Sequence, residues 1–143
     1  MKEEHYEGNQ SPSYVPVTKY DEYDFEAQRP DEIYIHNGYD SYNIVTSVHP
    51  FFYSDNFKKF TDCLIYIPHF VLAGPDPENE DTVKNISHFC IVSAVFHADR
   101  VIVQSEVMKQ VYIKALINAT DDHSSAARKY WENKIEGDGF LEV

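Results

Sequence analysis

Hydrophobic residues along this chain fall into short β-branched runs, each followed by apolar positions at helical spacing, with polar or proline-marked joins between them. The clearest unit starts at Val101, Ile102 and Val103, an apolar run of the kind found in strands buried on both faces. Ser105 follows at once, and its hydroxyl suits it to accept from a free N–H of a first helical turn. Glu106 then puts negative charge at the positive end of the helix dipole. Met108, Val111, Tyr112, Ala115 and Leu116 recur at helical spacing. The pattern predicts a strand over 100–104 and a helix over 106–118. Their join lies at the carboxyl end of the strand, where open α/β sheets usually bind ligands. Gln104, Ser105 and Glu106 are therefore candidate ligand contacts, although any well-made strand–helix join needs such a cap.

The same reading extends along the chain. Residues 1–13 read as a polar arm without periodicity, and 14–143 as one domain. Residues 14–30 are irregular or a short helix. EIYIH at 32–36 is a strand of β-prone residues, and Asn37-Gly38 a turn signal. Residues 39–42 read as loop and 43–47 as a weak strand or loop. His49-Pro50 breaks any regular element, and Ser54 or Asp55 caps a short helix over SDNFKKFTD. CLIYI at 63–67 is a buried strand halted by Pro68, and AGPDPENED an exposed loop. A helix begins at Thr82, while FCIVSAVF fits a helix or an extended run equally well. Ser124 or Ser125 caps a last helix through Lys134, with a short strand around Ile135. Strands alternating with helices imply parallel pairing through right-handed crossovers. The predicted fold is α/β: a single Rossmann-like layer with a mostly parallel sheet of three to five strands, flanked by helices.

Charge narrows the partners. The chain holds 24 acidic and 12 basic side chains, a formal charge of −12. Phosphate backbones need clustered Lys and Arg, so no nucleic-acid partner is expected. Anionic lipid surfaces should repel it, and no apolar run approaches a membrane span. Cys63 and Cys90 form no CxxC and sit among apolar residues; with no apolar leader near Met1, a reducing cytoplasm is the expected location. The 11 tyrosines and 9 phenylalanines suit either a core or a carbohydrate-lining pocket.

Candidate chemistry rests on histidines. GxGxxG and GxxxxGK[ST] are absent, which disfavours dinucleotide enzymes and P-loop NTPases. None of the seven histidines has HxxxH or HExxH spacing, so neither a metal nor a cofactor is expected. His36 with Asn37, and His69, follow predicted strands, and His49 lies in a loop between them. In a parallel sheet these would converge with Ser105 on one rim, as a general base or phosphate contact.

Two stretches carry a resemblance. ADRVIVQSEVMKQVYI, from Ala98, and RPDEIYIHNGYDSYNIVTSVHPFFYSDNFKKFTDCLIYIPHFVL, from Arg29, resemble bacterial proteins similar to the CDP-glycerol glycerophosphotransferases. These are glycosyltransferase-like enzymes of cell-envelope polymer and teichoic acid synthesis. The similarity runs from about residue 16 to 135. It implies the acceptor-side half of an enzyme with two Rossmann-like domains, acting on a nucleotide-activated glycerol or sugar. It also implies an exposed face where the second domain docks, and through which the chain self-associates. Members carry a histidine in a Trp-His-Gly motif that acts on the acceptor hydroxyl. The nearest position here is His49, the candidate catalytic base, flanked by Val48 and Pro50 instead of Trp and Gly. A binding or interaction module that keeps the fold without the chemistry is the alternative.

Overall fold

The structure is a computed structural model, and it describes residues 12–43, 45 and 48–138. Four strands, β1 (Glu32–Ile35), β2 (Cys63–Tyr66), β3 (Arg100–Ile102) and β4 (Ile135–Glu136), form one sheet in the order β1-β2-β3-β4. Every pairing is parallel. Ile33 pairs with Leu64, Tyr66 with Val101, and Val101 with Ile135. The fold is thus the single α/β Rossmann-like layer that strand–helix alternation implies.

Helices α1 (Phe25–Gln28), α2 (Ser54–Phe57), α3 (Glu80–Cys90), α4 (Ser93–His97), α5 (Glu106–Thr120) and α6 (Ser125–Lys134) supply the other layer. A right-handed crossover between each successive pair of strands, stepping always in one direction, returns each time on the same face. The core agrees: Ile33, Ile35, Leu64, Tyr66, Val101 and Ile135 share one sheet face and one buried cluster with Val95, Val111, Ile113 and Leu116. The other face carries Glu32, Tyr34, Cys63, Ile65, Ile67, Arg100, Ile102 and Glu136. β3 is therefore not buried on both faces as its β-branched run suggests: Val101 is sealed while Arg100 and Ile102 are half-buried.

Several local expectations change. Asn37-Gly38 makes no turn, and Gly38 has no positive φ. It is glycine because of crowding: a Cβ there would lie 2.6 Å from the Tyr66 hydroxyl and 2.8 Å from Val92. Its carbonyl accepts from Ala94 N–H at 3.1 Å, tying the end of β1 to α4. Helix α2 is a single turn, and its N-cap is Tyr53, without a side-chain cap. Ser54 is drawn inward instead, 2.7 Å from His97 Nδ1. FCIVSAVF divides into the end of α3, a break at Ile91-Val92, and α4. Ser105 and Ser124 cap α5 and α6, accepting from Met108 N–H at 3.2 Å and Ala127 N–H at 3.1 Å. Of the weak strand at 43–47, residues 44, 46 and 47 lie outside the described residues; Asn43 and Val45 are in no strand. No helix among the described residues is long and apolar enough to cross a membrane.

Candidate functional site

The carboxyl ends of β1 and β2 bring His36 and His69 together. His69 Nδ1 lies 3.0 Å from the His36 carbonyl, and the rings stand edge to face with centroids 6.2 Å apart. A carbonyl oxygen only accepts, so His69 Nδ1 carries the proton. In the neutral ring Nε2 then holds a free lone pair, as a general base requires. Both residues are exposed.

His49 is placed elsewhere and in the opposite tautomer. It caps the 3-10 turn Pro50–Phe52, its Nδ1 accepting from Phe51 N–H at 3.2 Å. Nδ1 is thereby the acceptor, and the neutral ring keeps its proton on Nε2. Its ring neighbours are Tyr20 and Phe52, at 5.9 and 6.5 Å. That aromatic group continues through Phe51 and Phe57 to Phe25 and Phe60. Phe25 and Phe60 belong to the segments entering β1 and β2, so this cluster gathers toward the amino ends of the strands. The expected convergence of His49 with His36 and His69 does not occur.

The strand–helix join at β3 is committed to structure. Gln104 Oε1 accepts from Leu72 N–H at 2.9 Å, and its Nε2 donates to Leu72 C=O at 2.7 Å. Ser105 is spent on its cap, and Glu106 accepts from Gln110 at 2.8 Å. Gly137 lies over the start of α5: a Cβ there would stand 2.6 Å from Glu106 Cα and 2.7 Å from its backbone nitrogen. An anion at that helix end would meet both this backbone and the Glu106 carboxylate. Asn37 is likewise used locally, donating to Tyr39 C=O at 3.0 Å.

Two recesses open on this rim. One, of about 120 Å³, is lined by Ile67, Phe70, Val71, Ile102, Gln104 and Met108 between the ends of β2 and β3. It is well below the roughly 300 Å³ of typical ligand pockets. The other, about 340 Å³, lies between the segment after β1 and the α3–α4 break. Its walls include Tyr39, Asp40, Tyr42, His88 and Ser93. Ser93 donates to Asp40 Oδ2, and Tyr42 N–H donates to Asp40 Oδ1 at 3.0 Å. From sequence, 39–42 reads only as loop; its signal is the tract YDSY a few residues beyond a strand's carboxyl end. Among the described residues, neither recess is lined by Lys or Arg, and no His/Cys/Asp/Glu group could hold a metal ion.

Lys134 and Cys90 are buried ionisable groups of the helical layer. Lys134 Nζ donates to Phe96 C=O at 2.7 Å, 5.5 Å from the Trp131 ring centre, and burial lowers its pKa to about 8. Burial pushes the Cys90 thiol up to about 12. At Asp99 burial opposes ionisation, but hydrogen bonds from Lys58 and Leu64 N–H prevail and hold it below the ordinary range. Comparison of the chain with family models, curated proteins and solved structures finds no match to any of them.

Proposed function

We propose that this domain is the acceptor-side half of a transferase similar to the CDP-glycerol glycerophosphotransferases of cell-envelope polymer synthesis. The observation that carries the reading is the rim itself. A recess walled by tyrosines, a carboxylate and an imidazole begins three residues beyond His36, and His69, whose Nδ1 meets the His36 carbonyl, holds a free Nε2 lone pair at the end of the neighbouring strand. Tyrosine faces and carboxylates suit the hydroxyl groups of a polyol. In the reaction, a base removes the hydroxyl proton as that oxygen attacks the donor's β-phosphorus. A new phosphodiester forms, and CMP departs with the bond electrons. His69, rather than His49, has the tautomer for that base.

A second reading is a binding module without catalysis. The packing of Gly137 over the amino end of α5 favours it, since a nucleotide's phosphates would use such an end. Imidazole NMR separates the two. Titration with a glycerol phosphate oligomer should move the His36, His69 and His88 ring signals, while CDP-glycerol alone moves them little. Unmoved signals with the oligomer would sink the acceptor reading.

A further inference from the structure

We propose that the recess between the segment after β1 and the α3–α4 break binds a quaternary ammonium group. The acceptor reading of this recess concerns hydroxyl groups; the ammonium goes beyond it and needs no transfer step. The carboxylate of Asp40 is the anionic group of the wall. Ser93 Oγ donates to its Oδ2, and Tyr42 N–H to its Oδ1 at 3.0 Å. Both donors are neutral, so they fix the carboxylate in place and leave its charge standing. Among the described residues, the wall contains no Lys or Arg to neutralise it.

The rest of the wall sets the kind of cation. Tyr39 and Tyr42 line the recess, and a cation within about 6 Å of a tyrosine ring centre is attracted by the ring's quadrupole. Val45 and Ile91 add apolar surface for methyl groups. A quaternary ammonium needs charge, ring faces and apolar contact but donates no hydrogen bond, so it does not compete with Ser93 or Tyr42 for the Asp40 oxygens. A metal ion asks for ligating oxygens or nitrogens instead, and no His/Cys/Asp/Glu group among the described residues could hold one. The recess, about 340 Å³, sits at the small end of ligand sites, roughly 300–1,000 Å³, which suits a compact headgroup. The formal charge of −12 draws cations toward the whole chain.

The probe is choline, titrated into the full 143-residue chain at low ionic strength. Beside it runs the neutral isostere dimethylbutanol, with carbon in place of nitrogen. Ring-proton NMR of Tyr39, Tyr42 and His88 reads the recess. Choline should move these signals saturably, and the isostere should bind at least about tenfold more weakly. Asp40→Asn keeps an oxygen for Tyr42 N–H and should weaken choline about tenfold, to the level of the isostere. Tyr42→Leu, at a residue 91 % exposed, leaves the core untouched and should weaken choline roughly twofold to fivefold. His123, whose Nε2 lies 3.5 Å from Asp121 Oδ1 between α5 and α6, is the control for general attraction to an acidic chain. Equal binding of choline and its isostere, equal movement of His123, or full choline affinity in both variants would overturn the proposal. So would a glycerol phosphate oligomer that moves His88 while choline moves none of the three rings, a result that leaves the acceptor reading intact.

Discussion

Gln104 holds Leu72 by both backbone groups, accepting its N–H at 2.9 Å and donating to its carbonyl at 2.7 Å. The side chain imitates one rung of a parallel ladder and stitches the segment beyond β2 to the end of β3. Each such bond is worth about 1 kcal/mol net, so Gln104→Ala should lower stability by roughly 1–2 kcal/mol. Gln104→Glu should cost at least as much, because a carboxylate cannot donate to the Leu72 carbonyl. Urea unfolding measures the loss, and faster hydrogen exchange at the Leu72 amide locates it.

Gly137 gives a second prediction. A methyl group there would meet Glu106 backbone at 2.6 Å, and backbone cannot swing aside as a side chain does. Gly137→Ala should cost about 1–3 kcal/mol through overpacking and weaken the β3–β4 pairing. Gly74, with nothing within 4 Å of its added Cβ, is the matched control. Equal melting temperatures for the two alanine variants would remove the close-packing account.

What the sequence disclosed, and what it hid, follows from range. The run at 101–103, the Ser105 and Ser124 caps and the strand at Ile135 rest on local propensity and spacing, and all appear in the structure. Parallel order was legible because helical patterns separate the strands. Gly38 was misread because a turn signal and a close-approach glycine look alike; only the Tyr66 hydroxyl beneath it distinguishes them. Placing His49 needed the aromatic cluster, which gathers residues from Tyr20 to Phe60. The tyrosine-walled recess escaped for the same reason: its second wall, His88 and Ser93, lies more than forty residues beyond YDSY.

The histidine tautomers can be observed directly. Above the imidazole pKa, long-range nitrogen–proton spectra should show His69 protonated on Nδ1 and His49 on Nε2. His49→Ala removes a cap acceptor and should cost about 0.5–1 kcal/mol of stability. It should leave the oligomer-induced shifts of His36 and His69 intact. An Nδ1-protonated His49 would restore it as a base.

The isolated chain should not catalyse transfer. Reaction between two partners requires both to be held in one aligned geometry, and that alignment supplies up to about 7–11 kcal/mol of the barrier. The rim of this domain offers a tyrosine-walled recess but, among the described residues, no cationic wall for a diphosphate. Incubated with CDP-glycerol and a glycerol phosphate acceptor, the 143-residue chain should release no CMP above the rate without protein. Robust release that disappears in His69→Gln would show a complete active site on this domain alone.

The last prediction sets two buried groups against each other. Lys134 titrates near 8 in the folded chain and near 10.4 unfolded. Between those values the unfolded chain holds a proton that the folded one has released, so stability rises with pH, by at most about 3 kcal/mol. Cys90 does the reverse: its thiol titrates near 12 folded and about 8.5 unfolded, so stability falls from about pH 8.5 upward. The two slopes oppose each other and should leave the wild-type protein nearly flat from about pH 8.5 to 10. Beyond about pH 10, burial keeps Tyr66 and Tyr112 protonated in the folded chain alone, and stability should drop steeply. Lys134→Met should expose the Cys90 slope, a decline beginning near pH 8.5. Cys90→Ala, although less stable throughout, should expose the Lys134 slope, a rise from about pH 8 to 10. Urea unfolding of the three proteins across this range tests the pairing, and curves that merely run parallel would rule it out.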